Sequence, residues 1–231
     1  MTGFAGDIRE AMRVGLASAR ANAVPMVVLW VLAALLVAAY YSFPGVAAAL
    51  EPLAEWQRQR DLIAVSVNRL VFCGFLPGVF LVIWREDGWS RVLRTILAQT
   101  VFAVVCGVIS ERMYSWNAQL FGEGVDLATV TTKTIVCQFV WTPLLFVPLG
   151  SVVYFWIGRD LSLARLRKEW PDNFLCACYL PNLLTNWAIW IPVAMVIHMF
   201  PTALQIQLSG FASAFLSLAF ITLGRVIGRD R

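Results

Sequence analysis

Six stretches of this chain, at about 24–43, 61–84, 91–110, 131–158, 173–199 and 203–227, are apolar over lengths that a soluble domain has no means of burying. A membrane-crossing helix needs about 20 mostly apolar residues at a rise of about 1.5 Å each, and every stretch meets that length. They are too long and too continuously apolar for the alternating strands of a membrane barrel. With no water in lipid to satisfy an unpaired backbone, helix is the conformation that remains. The composition agrees, at 60% hydrophobic, 14% charged and a mean hydropathy of +0.73. The expected fold is an all-α integral membrane protein, with six transmembrane helices in a bundle.

The cations orient that bundle. Six crossings leave the N-terminus, the loops after the second and fourth segments, and the C-terminus on one face. That face receives Arg9, Arg13, Arg20, Arg85, Arg91, Arg94, Arg159, Arg165, Arg167, Lys168, Arg225, Arg229 and Arg231, thirteen of the eighteen Lys and Arg residues. The opposite face receives Arg58, Arg60, Arg112 and Lys133, and Arg69 stands inside the second segment. The positive-inside rule then places both termini on the cytoplasmic side or its equivalent. The net charge of +4 reads as topology and contact with anionic lipid such as cardiolipin, not as nucleic-acid binding. Arg165, Arg167, Lys168 and Trp170 are the candidate lipid-headgroup residues.

Phe4, Ile8, Met12 and Leu16 recur at helical spacing, with Arg9 and Arg13 on other faces, and predict an amphipathic surface helix over 1–21. An Arg-rich amphipathic start also has the character of a mitochondrial presequence, against which Asp7 and Glu10 count. The expected organisation is that surface helix, an additional anchor span and loop over 22–60, and a helical membrane core over 61–231. The five cysteines all fall in or at the ends of apolar segments and read as small apolar fillers.

Segments three to six each carry a thin polar or small-residue line at helical spacing. These are Thr95, Gln99, Ala103 and Gly107; Thr134, Gln138 and Thr142; Asn182 and Asn186; and Gln205, Ser209, Ser213 and Ser217. Residues four apart share a helix face, so each line is presented to something other than lipid. Helix packing through small residues and interhelical hydrogen bonds is one destination, and a hydrated path the other. Gln99, Gln138, Asn182, Asn186, Gln205 and Ser209 are the candidate residues under either reading. Arg69 is expected to snorkel outward or pair with Glu111 as a structural counter-charge, with a pore-lining cation as the alternative.

Catalytic chemistry is absent from the pattern. The single histidine, His198, has no acid within a turn. Gln207-Leu-Ser209-Gly210 starts with the wrong residue for a rhomboid-type serine motif, and no metalloprotease or phosphate-cradling motif occurs. No catalytic residue, cofactor or metal site is expected, and the chain reads as non-enzymatic.

Taken in order, several elements resemble the family of the peroxisomal 22-kilodalton membrane protein and Mpv-seventeen. Gly107-Val-Ile-Ser-Glu111-Arg-Met113-Tyr114 resembles its Gly-Pro-x-x-His-x-Trp-Tyr motif, and Cys137-Gln138-Phe-Val-Trp-Thr-Pro143 its Asp-Gln element with a proline five residues on. Trp170-Pro171-Asp172, Tyr179-Leu180-Pro181, Asn186-Trp187, Ile191-Pro192 and Phe215-Leu216-Ser217 follow in family order, so the likeness covers about 61–218. The family's His, Trp, Asp and Arg are replaced by Glu111, Met113, Cys137 and Val196. The resemblance implies an organelle membrane, the mitochondrial inner membrane first, with a bacterial inner membrane or a peroxisome as alternatives. Because the ionisable positions are the ones changed, it implies an accessory subunit packed with other membrane subunits. The alternative is a passive, non-selective small-solute channel.

Overall fold

The computed structural model describes residues 4–83 and 88–229, with side chains over 6–83 and 88–217. Among these residues there is no strand. The helices are α1 (Phe4–Ala21), α2 (Ala23–Ser42), α3 (Pro44–Arg69), α4 (Leu76–Ile83), α5 (Trp89–Phe121), α6 (Leu127–Val136), α7 (Val147–Ile157), α8 (Leu163–Lys168), α9 (Leu180–His198) and α10 (Thr202–Arg229). Three π-helical segments, Leu70–Phe75, Cys137–Phe146 and Leu175–Tyr179, join α3 to α4, join α6 to α7 and precede α9.

Among the described residues, five helical stretches are long and apolar enough to cross a membrane: Ala23–Ser42, Pro44–Ile83, Trp89–Phe121, Leu127–Ile157 and Leu175–His198. The described residues are thus all-helical in architecture, with the span composition of an integral membrane protein. The sixth apolar stretch lies in α10, an unbroken helix of 28 residues. Arg85 lies outside the described residues, as does Arg231, and the side chains of Arg225 and Arg229 are likewise outside the described set.

Local chemistry sets the breaks. Pro44 opens α3, where a missing N–H costs no helical hydrogen bond. The polar run from Glu51 to Arg60 then gives way to apolar sequence at Asp61, and the backbone kinks there (φ 30°, ψ −101°). The Asp61 carboxylate is held at 2.8 Å by Arg112 of α5. At the turn before α6, Gly122 takes a left-handed φ of 79° and Asp126 caps the helix by accepting from the Thr129 N–H at 3.0 Å.

Contacts between neighbours fix the directions. Gly78 lies against Ile96, Gly74 against Thr100 and Gly107 against Arg69, so α3–α4 and α5 run antiparallel. Asn68 reaches Gln207 and Phe72 packs on Phe211, so α10 runs parallel to the end of α3 and the π segment that follows it. Asn182 meets Ser151 and Trp187 meets Gln138, so α9 opposes α6–α7. The end of α4, the start of α5, the end of α7 and the start of α9 therefore gather at one end with loop 158–172. This is the loop end of the bundle. On α5 the residues Leu93, Leu97, Val101 and Val105 form an exposed apolar line, the inverse of a soluble helix and the face that suits lipid.

The N-terminal helices are integral to this packing. α1 runs alongside the first half of α9: Asp7 accepts from Asn173, and Gly15 lies 3.0 Å from Leu184 at its missing Cβ. Its buried face is Ala11 and Gly15, while Met12 and Leu16 are exposed. The expected surface helix thus docks on a span through its small residues and turns Met12 and Leu16 outward, with Ile8 half-buried and the Phe4 side chain outside the described set. Met26 and Leu29 of α2 and Ala54 of α3 join one core cluster with Val65, Tyr114, Ile189 and Leu204. The Trp30 indole donates to the Ile189 carbonyl at 3.2 Å, and the Tyr41 hydroxyl donates to that of Met199.

Candidate functional site

The π segments mark where the site lies. In π register each N–H reaches the carbonyl five residues back, as Leu76 to Val71, Val147 to Thr142 and Leu180 to Leu175 do here. Proline has no N–H, so it strands the carbonyl five back. Pro143 strands Gln138 and Pro148 strands Pro143, and in lipid such a carbonyl must be satisfied from elsewhere. Both are met from the opposing helix: the Trp187 indole donates to the Gln138 carbonyl at 2.7 Å, and the Tyr179 hydroxyl donates to that of Pro143 at 2.9 Å. The irregular wall of the bundle is therefore pinned in place by two aromatic donors.

That wall borders a cavity of about 620 Å³. Gln99, Ala103 and Tyr114 of α5, Gln138 and Thr142 of the central π segment, Ser151 of α7, Asn182 and Asn186 of α9, and Ser209, Ser213 and Ser217 of α10 all line it. The polar lines of four separate segments thus converge on one space. Arg69 to Leu81, Gln99 to Tyr114 and Asn182 to Ala194 each follow the cavity lengthwise, giving a depth of about 20 Å at about 1.5 Å per residue. Its outer part faces the loop end, where Asn182 and Tyr154 are exposed. Its inner end is sealed, with Arg69 6%, Tyr114 5% and Ser209 3% exposed.

Arg69 is the only charged side chain among the described residues that line the cavity. It donates to Ser209 Oγ at 2.6 Å and to Ser213 Oγ at 3.4 Å, and its Nε has no partner. Room for it is made by Gly107, where a Cβ would sit 2.5 Å from Arg69 Cγ. The expected pairing with Glu111 does not form: Glu111 accepts from Ser115 at 3.3 Å instead, and among the described residues no carboxylate pairs with Arg69.

Beneath Arg69 the bundle is closed by amides. Asn68 donates to Gln207 Oε1 at 2.8 Å, and Gln207 donates to Gln57 Oε1 at 2.6 Å. Gly210 leaves space for Asn68, since a Cβ there would lie 2.0 Å from its Oδ1. Lys133, Asn117 and His198 are also buried in the bundle, outside the cavity lining.

Of the six candidate residues, Gln99, Gln138, Asn182, Asn186 and Ser209 are brought together around the cavity. Gln205 is not: it is buried and donates to the Phe200 carbonyl at 2.9 Å, a local helix-start contact. Asn182 donates to Ser151 at 2.9 Å, whereas the buried Oδ1 of Asn186 has no partner. Three of the cysteines read as fillers, Cys73, Cys106 and Cys137, also line the space. Their spacing held the signal: Cys73 stands one turn after Arg69, and Cys106 two turns after Gln99.

The headgroup candidates lie apart, on or after α8 at the loop end. Arg165 is held by Asp160 at 2.7 Å, Trp170 stacks on Phe174 at 4.5 Å, and Arg167 and Lys168 are exposed. No group of three or more potential metal ligands occurs among the described residues. No protein-family model, curated protein or solved structure matches the chain.

Proposed function

We propose that the protein is a multi-pass membrane protein that gives small polar solutes passive access into, and on opening through, the membrane. The observation that carries this reading is the convergence of four polar lines on one 620 Å³ cavity, open toward the loop end and sealed beneath Arg69. Ligand cavities are commonly about 300–1,000 Å³, mostly apolar, with a few placed polar groups, and this one has that character. An accessory subunit built only for packing has its polar lines consumed in dry helix contacts. Here Asn186 keeps an unpaired oxygen at the cavity, so the accessory role is the second reading.

The amide closure of Gln57, Asn68 and Gln207 would serve as the gate, and the π segments as the places where the wall rearranges, a common location for such segments. The proposal includes six crossings with both termini on the cytoplasmic side, which puts the open end of the cavity there. The family resemblance adds an organelle membrane to the proposal, the mitochondrial inner membrane first, and carries the channel role only as the alternative to an accessory subunit.

Glycerol release from proteoliposomes tests the reading. Release above that of empty vesicles is expected, and Ala103→Trp, which fills the cavity, abolishes most of it. Val101→Trp, on the exposed face of the same helix, leaves it unchanged. No release by the wild type, or equal release by Ala103→Trp, refutes the proposal.

A further inference from the structure

Arg69 is a buried, permanently charged guanidinium whose hydrogen-bond acceptors are neutral. Hydroxyl oxygens satisfy its N–H groups without cancelling its charge. A buried cation without a counter-charge is costly, and such groups inside membranes are paired or turned to a hydrated path. Helix α5 has a glycine where any side chain would collide with Arg69, so the backbone is shaped to hold the charge in place. The Nε–H remains without a partner, and the cavity into which this residue fits is otherwise uncharged among its described lining residues.

We infer that the floor of the cavity is a recognition site for a small organic carboxylate, with Arg69 as its counter-ion and the amides of Gln138 and Asn186 available to its polar groups. This rests on the solute-access reading and names the class of solute. A guanidinium matches a carboxylate in geometry and charge. Above it the walls are largely apolar, with Phe102, Phe146 and Leu216 among them, and they suit the body of an organic anion better than a strongly hydrated inorganic one. The positive-inside loops add a favourable field at the open end for an approaching anion.

The test uses labelled lactate, chloride, choline and glycerol with the full-length protein in liposomes at neutral pH. Lactate is expected to cross faster than choline by about tenfold or more, the size of effect one nearby charge exerts in a partly desolvated site. Lactate should also compete with chloride. Arg69→Gln removes the preference, read as the ratio of lactate to choline passage, and Arg69→Lys retains part of it. Arg69→Gln empties a packed position, so Ser213→Asp provides a second route. It keeps Arg69 and sets a carboxylate where the 3.4 Å contact now lies, and it should abolish the preference equally.

Equal passage of lactate and choline overturns the inference, as does an undiminished preference in both variants. Chloride passage that lactate fails to inhibit assigns the floor to inorganic anions and also overturns it. If glycerol itself does not cross, the conductive reading falls. Equilibrium binding of lactate to the detergent-solubilised protein, lost in Arg69→Gln and Ser213→Asp, then decides the site alone.

Discussion

Tyr179 offers a one-atom test of why the cavity wall holds its shape. Its hydroxyl donates at 2.9 Å to the Pro143 carbonyl, which has no backbone donor because residue 148 is also proline. Tyr179→Phe keeps the ring and its packing and removes only the oxygen, so the transfer term is close to zero. What is lost is one hydrogen bond, and what is left is a stranded carbonyl, a combination worth about 1–3 kcal/mol. Pro148→Ala restores an N–H five residues after Pro143, in the register that Val147 already uses toward Thr142. In that background the carbonyl has a backbone partner, and Tyr179→Phe should cost less than about 0.5 kcal/mol. The double-mutant cycle, read by reversible denaturation in mixed micelles, should thus give a coupling of about 1 kcal/mol or more. A cost for Tyr179→Phe that is the same in both backgrounds refutes the reasoning, because the hydroxyl would then not be serving the proline-stranded carbonyl.

Gly107→Ala places a methyl 2.5 Å from Arg69 Cγ, and overpacking of that kind costs about 1–3 kcal/mol against a helix-propensity gain of about 0.5–1 kcal/mol. It should destabilise, whereas Gly150→Ala, whose methyl meets only Phe102 at 3.9 Å, should be neutral or stabilising; the same denaturation assay reverses the account if the order is inverted. The Asp126 carboxylate is held below its ordinary value of 3.8 by the Thr129 hydroxyl and N–H, so its capping contribution is present above that value and is lost as pH falls through its lowered folded-state pKa. The difference in melting temperature between wild type and Asp126→Ala should accordingly be full at neutral pH and shrink in acid, and a difference that grows in acid would contradict the assignment.

Much of this was legible in the sequence, and the parts that were not share a cause. Apolar length anticipates helices, because in lipid the backbone leaves no other choice. The polar lines through Gln99, Gln138, Asn182 and Asn186 are visible as spacing, since residues four apart share a face whatever the tertiary fold. Spacing alone says nothing about which lines meet. Gln205 fits its line as well as Ser209 does, yet it turns to its own helix start while Ser209 receives Arg69. The pairing of Arg69 with Glu111 failed for a related reason. The two lie toward the same end of the bundle, but the Arg69 side chain takes the notch at Gly107 and the hydroxyls of α10 instead. The docking of α1 was hidden because its small residues, Ala11 and Gly15, carry little hydrophobic signal beside Met12 and Leu16.

Cysteine accessibility addresses the central claim, a hydrated cavity entered from one end, most directly. In a cysteine-free background reconstituted with known orientation, Gln99→Cys and Asn186→Cys should react with a membrane-impermeant thiol reagent added on the side of loop 158–172. Gln205→Cys should stay inert from both sides. If the cavity residues are inert from both sides, or if Gln205→Cys reacts as fast as they do, the one-ended cavity is wrong.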